Sequence, residues 1–214
     1  MEFKTEVSLV SYFKENFISN LGIKVNSKIL SEVNLGFGIA DLVISELNES
    51  VRSMNRKPLN LVDIGVYKMI EREKKVSLKA VCEITKCNKR LINESLDKLV
   101  KASYIQQFDT YYSFSNKYEF SFRKSIAIEA KLKNWKRALM QAYRYKWFAD
   151  YSYVILDYAH IKPALENLSL FKQYNIGLVS LSTEGVFVKH YVPHKETPID
   201  IKMQILLSEA MLYN

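Results

Sequence analysis

The spacing of hydrophobic positions changes period along the chain. Over residues 6–20, Val7, Val10, Phe13, Phe17 and Ile18 recur on one side and predict an amphipathic helix. Val25 to Val33 predicts a strand, and Asn34–Gly38, with two glycines, a turn. Ile39 to Ser45 predicts a second apolar strand, broken by Asp41. Beyond residue 50 the texture turns helical. Val62, Val66, Met69 and Ile70 mark one helix, which runs into the charged stretch Glu71–Lys75. Ser77 suits the N-cap of a short helix bearing Leu78, Val81 and Ile84. A turn over Thr85–Asn88 leads to a third helix whose buried stripe is Ile92, Leu96 and Leu99, while Lys89, Arg90, Asn93, Asp97 and Lys101 face other directions. Ile105–Phe108 and Tyr111–Phe114, separated by Asp109 and Thr110, predict a β-hairpin.

After Tyr118 strands and helices alternate. Ser125 to Leu132 predicts a strand, Trp135 to about Phe148 a helix capped by Asn134, and Tyr151 to Leu156 a strand. Ile161 to Tyr174 predicts a helix, Ile176 to Leu181 a strand, and Val186 to His190 another after a turn at Gly185. Pro198 suits the first turn of a last helix running to about Leu212. The outer segments thus alternate as in an α/β sheet protein, and the middle block interrupts them. The expected division is a discontinuous α/β core, residues 1–49 and 120–214, with an insertion over 50–119. The last helix, with Ile201, Ile205 and Leu206, is expected to cover the sheet or to support a homodimer.

Composition narrows the class. With 214 residues, 48% hydrophobic and 25% charged, the chain has the make-up of a globular protein with a sizeable core. No apolar run approaches the ~20 residues of a membrane helix, and Glu2, Lys4 and Glu6 break any signal-peptide core, so no membrane role is expected. Two cysteines, Cys82 and Cys87, are too few for a disulfide scaffold and point to a reducing, cytoplasmic setting. The net charge of +8 is unevenly placed: −3 over residues 1–50, +6 over 51–120, +7 over 121–148 and −2 over 149–214. A basic field confined to the middle of the chain suits a polyanionic partner, although basic helix faces are often only solvated surface.

Three Glu-x-Lys triplets occur: Glu2 to Lys4, Glu73 to Lys75 and Glu129 to Lys131. The first two fall at a terminus and in a charged run, where solvation is expected. The third ends the apolar strand Ile126-Ala127-Ile128, and along a strand positions 129 and 131 share one face. Asp41, set in a similarly apolar strand, needs a partner, a metal or water.

Two resemblances follow from these residues. The order helix, helix–turn–helix, hairpin within about 65 residues resembles winged-helix modules. That implies a third helix reading the major groove through Lys89, Arg90 and Asn93, with the hairpin as a wing; a three-helix protein-contact module has the same pattern. The outer segments, roughly 1–48 and 120–190, resemble the PD-(D/E)XK nucleases, whose core runs helix, three strands, helix, strand. The resemblance implies that Asp41 and Glu129 are ligands of Mg²⁺, with Mn²⁺ able to substitute, and that Lys131 is the catalytic lysine. The family's proline before the first acid is Ala40 here. Gln141 and Tyr145, one helical turn apart after Glu-x-Lys, resemble the RecB-like branch, where the Gln projects toward the active centre and the Tyr steadies substrate or Gln. Helix packing is the plainer role for that pair. Glu6 and Glu32 are candidate additional acids, or ordinary surface carboxylates.

Phosphodiester hydrolysis needs a water nucleophile, charge neutralisation on the phosphorane and help for the leaving oxygen. A Mg²⁺ held by two carboxylates polarises phosphate and acidifies bound water, and Lys131 would position that water or stabilise developing charge. Lys133, Arg137 and Arg144 form a basic stripe suited to flanking phosphates, which position DNA without reading sequence. The expected activity is therefore a Mg²⁺-dependent endonuclease acting on DNA, duplex foremost, in a restriction, repair or mobile-element setting. An inserted winged helix, separating Asp41 from Glu129 by 87 residues, would set a DNA reader beside the scissile phosphate. The alternative is a non-catalytic DNA-binding regulator on a nuclease-like scaffold; an RNA or branched-DNA substrate is a further variant. Other chemistries find no support. Cys82 and Cys87 have no histidine nearby for zinc, and His190 and His194 are separated by Tyr-Val-Pro. His160 stands alone, and phosphate-loop, dinucleotide and serine-hydrolase motifs are missing.

Overall fold

The computed structural model describes residues 2–23, 26–51 and 56–214. In chain order the elements are α1 (Glu6–Asn16), β1 (Ser27–Asn34), β2 (Ile39–Leu47), α2 (Leu61–Glu73), β3 (Lys75–Ser77), α3 (Leu78–Thr85) and α4 (Lys89–Lys101). There follow β4 (Ile105–Phe108), β5 (Tyr111–Phe114), β6 (Phe122–Lys131), α5 (Trp135–Tyr145), β7 (Tyr151–Asp157), α6 (Lys162–Glu166) and α7 (Leu168–Tyr174). β8 (Gly177–Leu181), β9 (Phe187–Tyr191) and α8 (Ile201–Tyr213) complete the chain. The expected start of the first strand at Val25 lies outside the described residues. These elements form two compact units: Met1–Leu47 with Phe122–Ile201, and Asn48–Ser121 with Lys202–Asn214.

The first unit is an α/β structure on a mixed six-stranded sheet of order β1-β2-β6-β7-β8-β9. β6, β7 and β8 run parallel, joined by helical crossovers, and the remaining neighbours pair antiparallel. Strand alternation sorts the side chains. Leu42, Ile44, Ile126, Ile128, Tyr153 and Ile155 share one buried cluster with Leu9 and Phe13 of α1. The intervening residues, among them Val43, Ala127 and Val154, line the other face, where α5 packs on β2, β6 and β7. α1 begins at Thr5, whose hydroxyl accepts the Ser8 N–H in a reciprocal capping box. It stops at Asn16, earlier than the periodicity predicts, and Ile18–Leu21 continue as a 3-10 turn closed by Gly22 at φ 70°. Val7, expected on the apolar side, is 74% exposed; Leu9 is buried instead. The predicted helix over 161–174 is two helices, α6 and α7, meeting at Asn167, whose side chain bonds back to the Pro163 carbonyl. Buried Asp157 takes the Phe3 N–H at 2.7 Å and the Ala159 N–H at 2.9 Å, fastening the N-terminal segment to the end of β7.

The second unit packs α2, α3 and α4 against a three-stranded sheet of order β3-β5-β4. Ser77 is the expected cap of α3; Asn88 caps α4, and a further capping box joins Asn60 and Asp63. Buried Asp63 also accepts from Lys98 Nζ at 2.7 Å and from the Ser95 hydroxyl, which fixes α4 on α2. Cys82 and Cys87 are half-buried free thiols against this core.

The last helix departs from expectation. It starts three residues after Pro198 and packs in the second unit through Ile205 rather than on the sheet. The cause is Glu209, 2% exposed, which accepts two hydrogen bonds from Arg56 at 2.8 Å each, one from the Leu59 N–H and one from the Tyr118 hydroxyl, both at 2.7 Å. The Arg56 guanidinium also lies over the rings of Tyr104 and Tyr213. Burial opposes its charge, but Glu209 outweighs that, and its pKa is raised.

Candidate active site

β2 and β6 pair antiparallel from Leu47–Phe122 to Leu42–Ile128. There the backbone ladder ends, and the Asp41 carboxylate accepts the next N–H, that of Ala130, at 2.7 Å. Asp41 and Glu129 therefore stand on neighbouring strands one step past the last rung, on the sheet face of Val43 and Ala127. Glu129 is 1% exposed. Its Oε1 pairs with Lys131 Nζ at 2.8 Å and its Oε2 meets the Tyr145 hydroxyl. Lys131 Nζ also bonds Glu6 Oε2 at 3.0 Å and the Ala130 carbonyl at 3.1 Å. Asp41, Glu129, Lys131, Glu6 and Tyr145, each singled out from the sequence, thus fall in one connected network.

Tyr145 has one proton for two acceptors, because its hydroxyl lies 2.7 Å from the Ile39 carbonyl as well as against Glu129. The Tyr145 hydroxyl can therefore donate to only one of the two at a time. Burial raises the Glu129 pKa, against the opposing bonds from Lys131 and Tyr145, and the Asp41 charge raises it further. Burial likewise raises Asp41, against the Ala130 N–H and Lys131. For Lys131 burial works against the cation, but the bonds to Glu129 and Glu6 prevail and its pKa is raised. Burial and the neighbouring Glu129 raise Tyr145, so its phenol stays protonated.

Gln141 lies one turn before Tyr145 on α5, and its side-chain Oε1 is buried with no hydrogen-bond partner. Arg137 and Arg144 are exposed on the same helix, and Lys133 approaches Glu2 at 4.0 Å. Glu32 is exposed on β1, where it falls between the pairs Ser31–Leu42 and Val33–Ala40 and thus opposite Asp41. Its backbone is left-handed, φ 53°, and its charge adds to the raising of Asp41. Lys89, Arg90 and Asn93 belong to α4 of the other unit; the first two are exposed, and Arg90 bonds Glu94 at 3.1 Å.

Among the described residues no group of three or more His, Cys, Asp or Glu side chains is arranged to hold a metal ion. The donors at the end of the β2–β6 ladder are the two carboxylates of Asp41 and Glu129, on adjacent strands. Two carboxylates are the donors a hard cation such as Mg²⁺ takes, binding through one or two of them and keeping several waters.

Sequence reasoning missed two polar contacts. His160, which seemed solitary, bonds Glu2 at 2.6 Å, and His190 Nε2 lies 2.7 Å from the buried Ser180 hydroxyl. The Arg56–Glu209 pair also went unseen, although a glutamate inside the apolar run Ile205 to Leu212 was a signal for it. No known protein family, curated protein or solved structure matches the chain. No helix among the described residues is long and apolar enough to cross a membrane.

Proposed function

We propose that the chain is a divalent-metal-dependent DNA endonuclease of the PD-(D/E)XK kind, carrying a winged-helix module between its second and third core strands. One observation carries this reading: Asp41, Glu129 and Lys131 are gathered at the open end of the β2–β6 ladder, with Tyr145 joined to Glu129. Burying a carboxylate and an ammonium there gives the fold little net stability. The order of α2, β3, α3, α4 and the β4–β5 hairpin, with β3 added beside β5, supports the winged-helix part.

Asp41 and Glu129 would hold the ion, which supplies charge neutralisation at the phosphate and acidifies a bound water. The residues do the rest. Lys131 is held cationic, so it suits orienting water or stabilising developing negative charge rather than acting as a base in its resting state. Tyr145 takes up or returns a hydrogen bond as Glu129 changes protonation, and the Gln141 Oε1 offers an acceptor for water or substrate. Arg137 and Arg144 suit flanking phosphates.

The test is cleavage of supercoiled and linear duplex DNA with Mg²⁺ or Mn²⁺, against EDTA and against Asp41→Asn and Lys131→Ala. Metal-dependent cleavage lost in both variants is the expected result. DNA binding without cleavage in any metal would leave the non-catalytic regulator as the reading. Arg90→Ala is expected to weaken duplex binding; unchanged binding removes α4 as the groove reader.

A further inference from the structure

The second unit carries an aromatic tip that its packing does not explain. The β4–β5 hairpin turns through Asp109 and Thr110, with Asp109 left-handed at φ 51°, so Phe108 and Tyr111 face each other across the last rung. Strand alternation divides this small sheet. Ile105, Tyr112 and Phe114, with Val76 of β3, turn into the core. Gln106, Phe108, Tyr111 and Ser113, with Lys75 and Ser77 of β3, take the outer face. Phe108 is 57% exposed and Tyr111 45%. A hairpin needs neither ring at its tip; polar residues close such turns at lower cost in exposed apolar surface.

Lysines stand close to the rings. Lys75 Nζ lies 4.5 Å from the centroid of the Tyr111 ring. A cleft of about 510 Å³ opens beside the tip at Thr110, lined by Leu78 and Cys82 and flanked by Lys89 and by Lys79, which stands 3.9 Å from Glu83. Flat exposed rings set among lysines and glutamines are the elements of a base-stacking platform. The rings take the faces of unpaired bases and the ammonium groups take the backbone.

We infer that the Phe108–Tyr111 tip stacks on unpaired bases, so that the chain prefers DNA carrying single-stranded tails, junctions or opened ends over continuous duplex. This rests on the DNA-binding reading and names the substrate structure within it. Stacking on two rings predicts a preference of about tenfold or more.

The experiment compares two labelled DNAs of one duplex sequence in Ca²⁺, by fluorescence anisotropy. One is a dumbbell closed at both ends by oligoethylene glycol linkers, so that it holds no unpaired base; the other carries a short single-stranded tail with 2-aminopurine at its first unpaired position. The expected result is tighter binding of the tailed DNA, with quenched 2-aminopurine emission. Phe108→Ala with Tyr111→Ala should abolish both, leaving dumbbell binding within about twofold, while Phe108→Trp with Tyr111→Phe should retain them. Circular dichroism confirms that the variants are folded. If wild-type protein binds both DNAs but the alanine pair binds the tailed DNA equally well, the stacking inference falls and the DNA reading stands. If it binds neither, both fall. If the alanine pair instead abolishes self-association of the chain without changing DNA binding, the tip is a protein contact and the inference is overturned.

Discussion

Glu209→Ala should be among the costliest single substitutions in the second unit. The carboxylate is 2% exposed and accepts four hydrogen bonds, two of them from an Arg56 side chain that is itself 5% exposed. Deleting it leaves a buried guanidinium without a counter-charge, a loss of about 3–5 kcal/mol. The Leu59 N–H and the Tyr118 hydroxyl lose their acceptor too, each worth about 1–3 kcal/mol if water does not reach it, which places the total at the upper end. Against a typical domain stability of about 5–15 kcal/mol, that is enough to detach α8. Urea unfolding separates the outcomes, because both tryptophans, Trp135 and Trp147, lie in the first unit. Far-ultraviolet circular dichroism should show an early transition in the variant while tryptophan fluorescence keeps its midpoint. Replacing Arg56 and Glu209 together by leucine should recover more than half of the loss, since an apolar pair leaves no orphaned charge. A loss under about 1 kcal/mol for Glu209→Ala would refute the reasoning, because a well-hydrated surface pair costs no more than that.

Further outcomes follow from the first unit. A Cβ at Gly177 would lie 2.2 Å from the Tyr153 ring, so Gly177→Ala should lower stability by about 1–3 kcal/mol in thermal melts; an unchanged melting temperature would contradict the packing of β7 on β8. His190 has its pKa lowered by burial from 6.5, so below that pH the unfolded chain binds more protons than the folded one and stability falls with acidification. His190→Gln should flatten the dependence of melting temperature on pH below 6.5, and a slope equal to that of the wild type would discount the burial. Tyr145→Phe should weaken metal binding or cleavage about 10–100-fold, measured by Mn²⁺ titration and turnover, because it removes the partner that orients Glu129. Equal affinity and rate would make Tyr145 a packing residue.

Local chemistry carried much of this arrangement into the sequence. Asp41 and Glu129 stood out because a charge inside an apolar strand needs a partner, and both stand at the end of one ladder. Ser77 and Asn134 announced helix starts through their caps. What stayed hidden depended on distant pairing. The short strand β3 has only three residues and exists because Val76 finds Tyr112 far along the chain. The place of α8 was decided by Arg56, separated from Glu209 by 152 residues of intervening chain, which no local periodicity reports. Val7 was assigned inward by spacing alone, although α1 ends before that stripe completes.

The position of α8 bears on how the protein is made. Each unit is built from two separate stretches of chain, so neither closes in the order in which residues leave the ribosome. When Ser121 has emerged, the second unit still lacks Ile205 for its core and Glu209 for its buried arginine. It must wait through the synthesis of β6 to β9 with Arg56 unmatched, while the first unit gathers its last strands. A nascent chain halted anywhere before Glu209 would therefore expose an unfinished module to proteases and chaperones, and a gene fragment ending at residue 121 would encode the helices and hairpin without the residue that locks them.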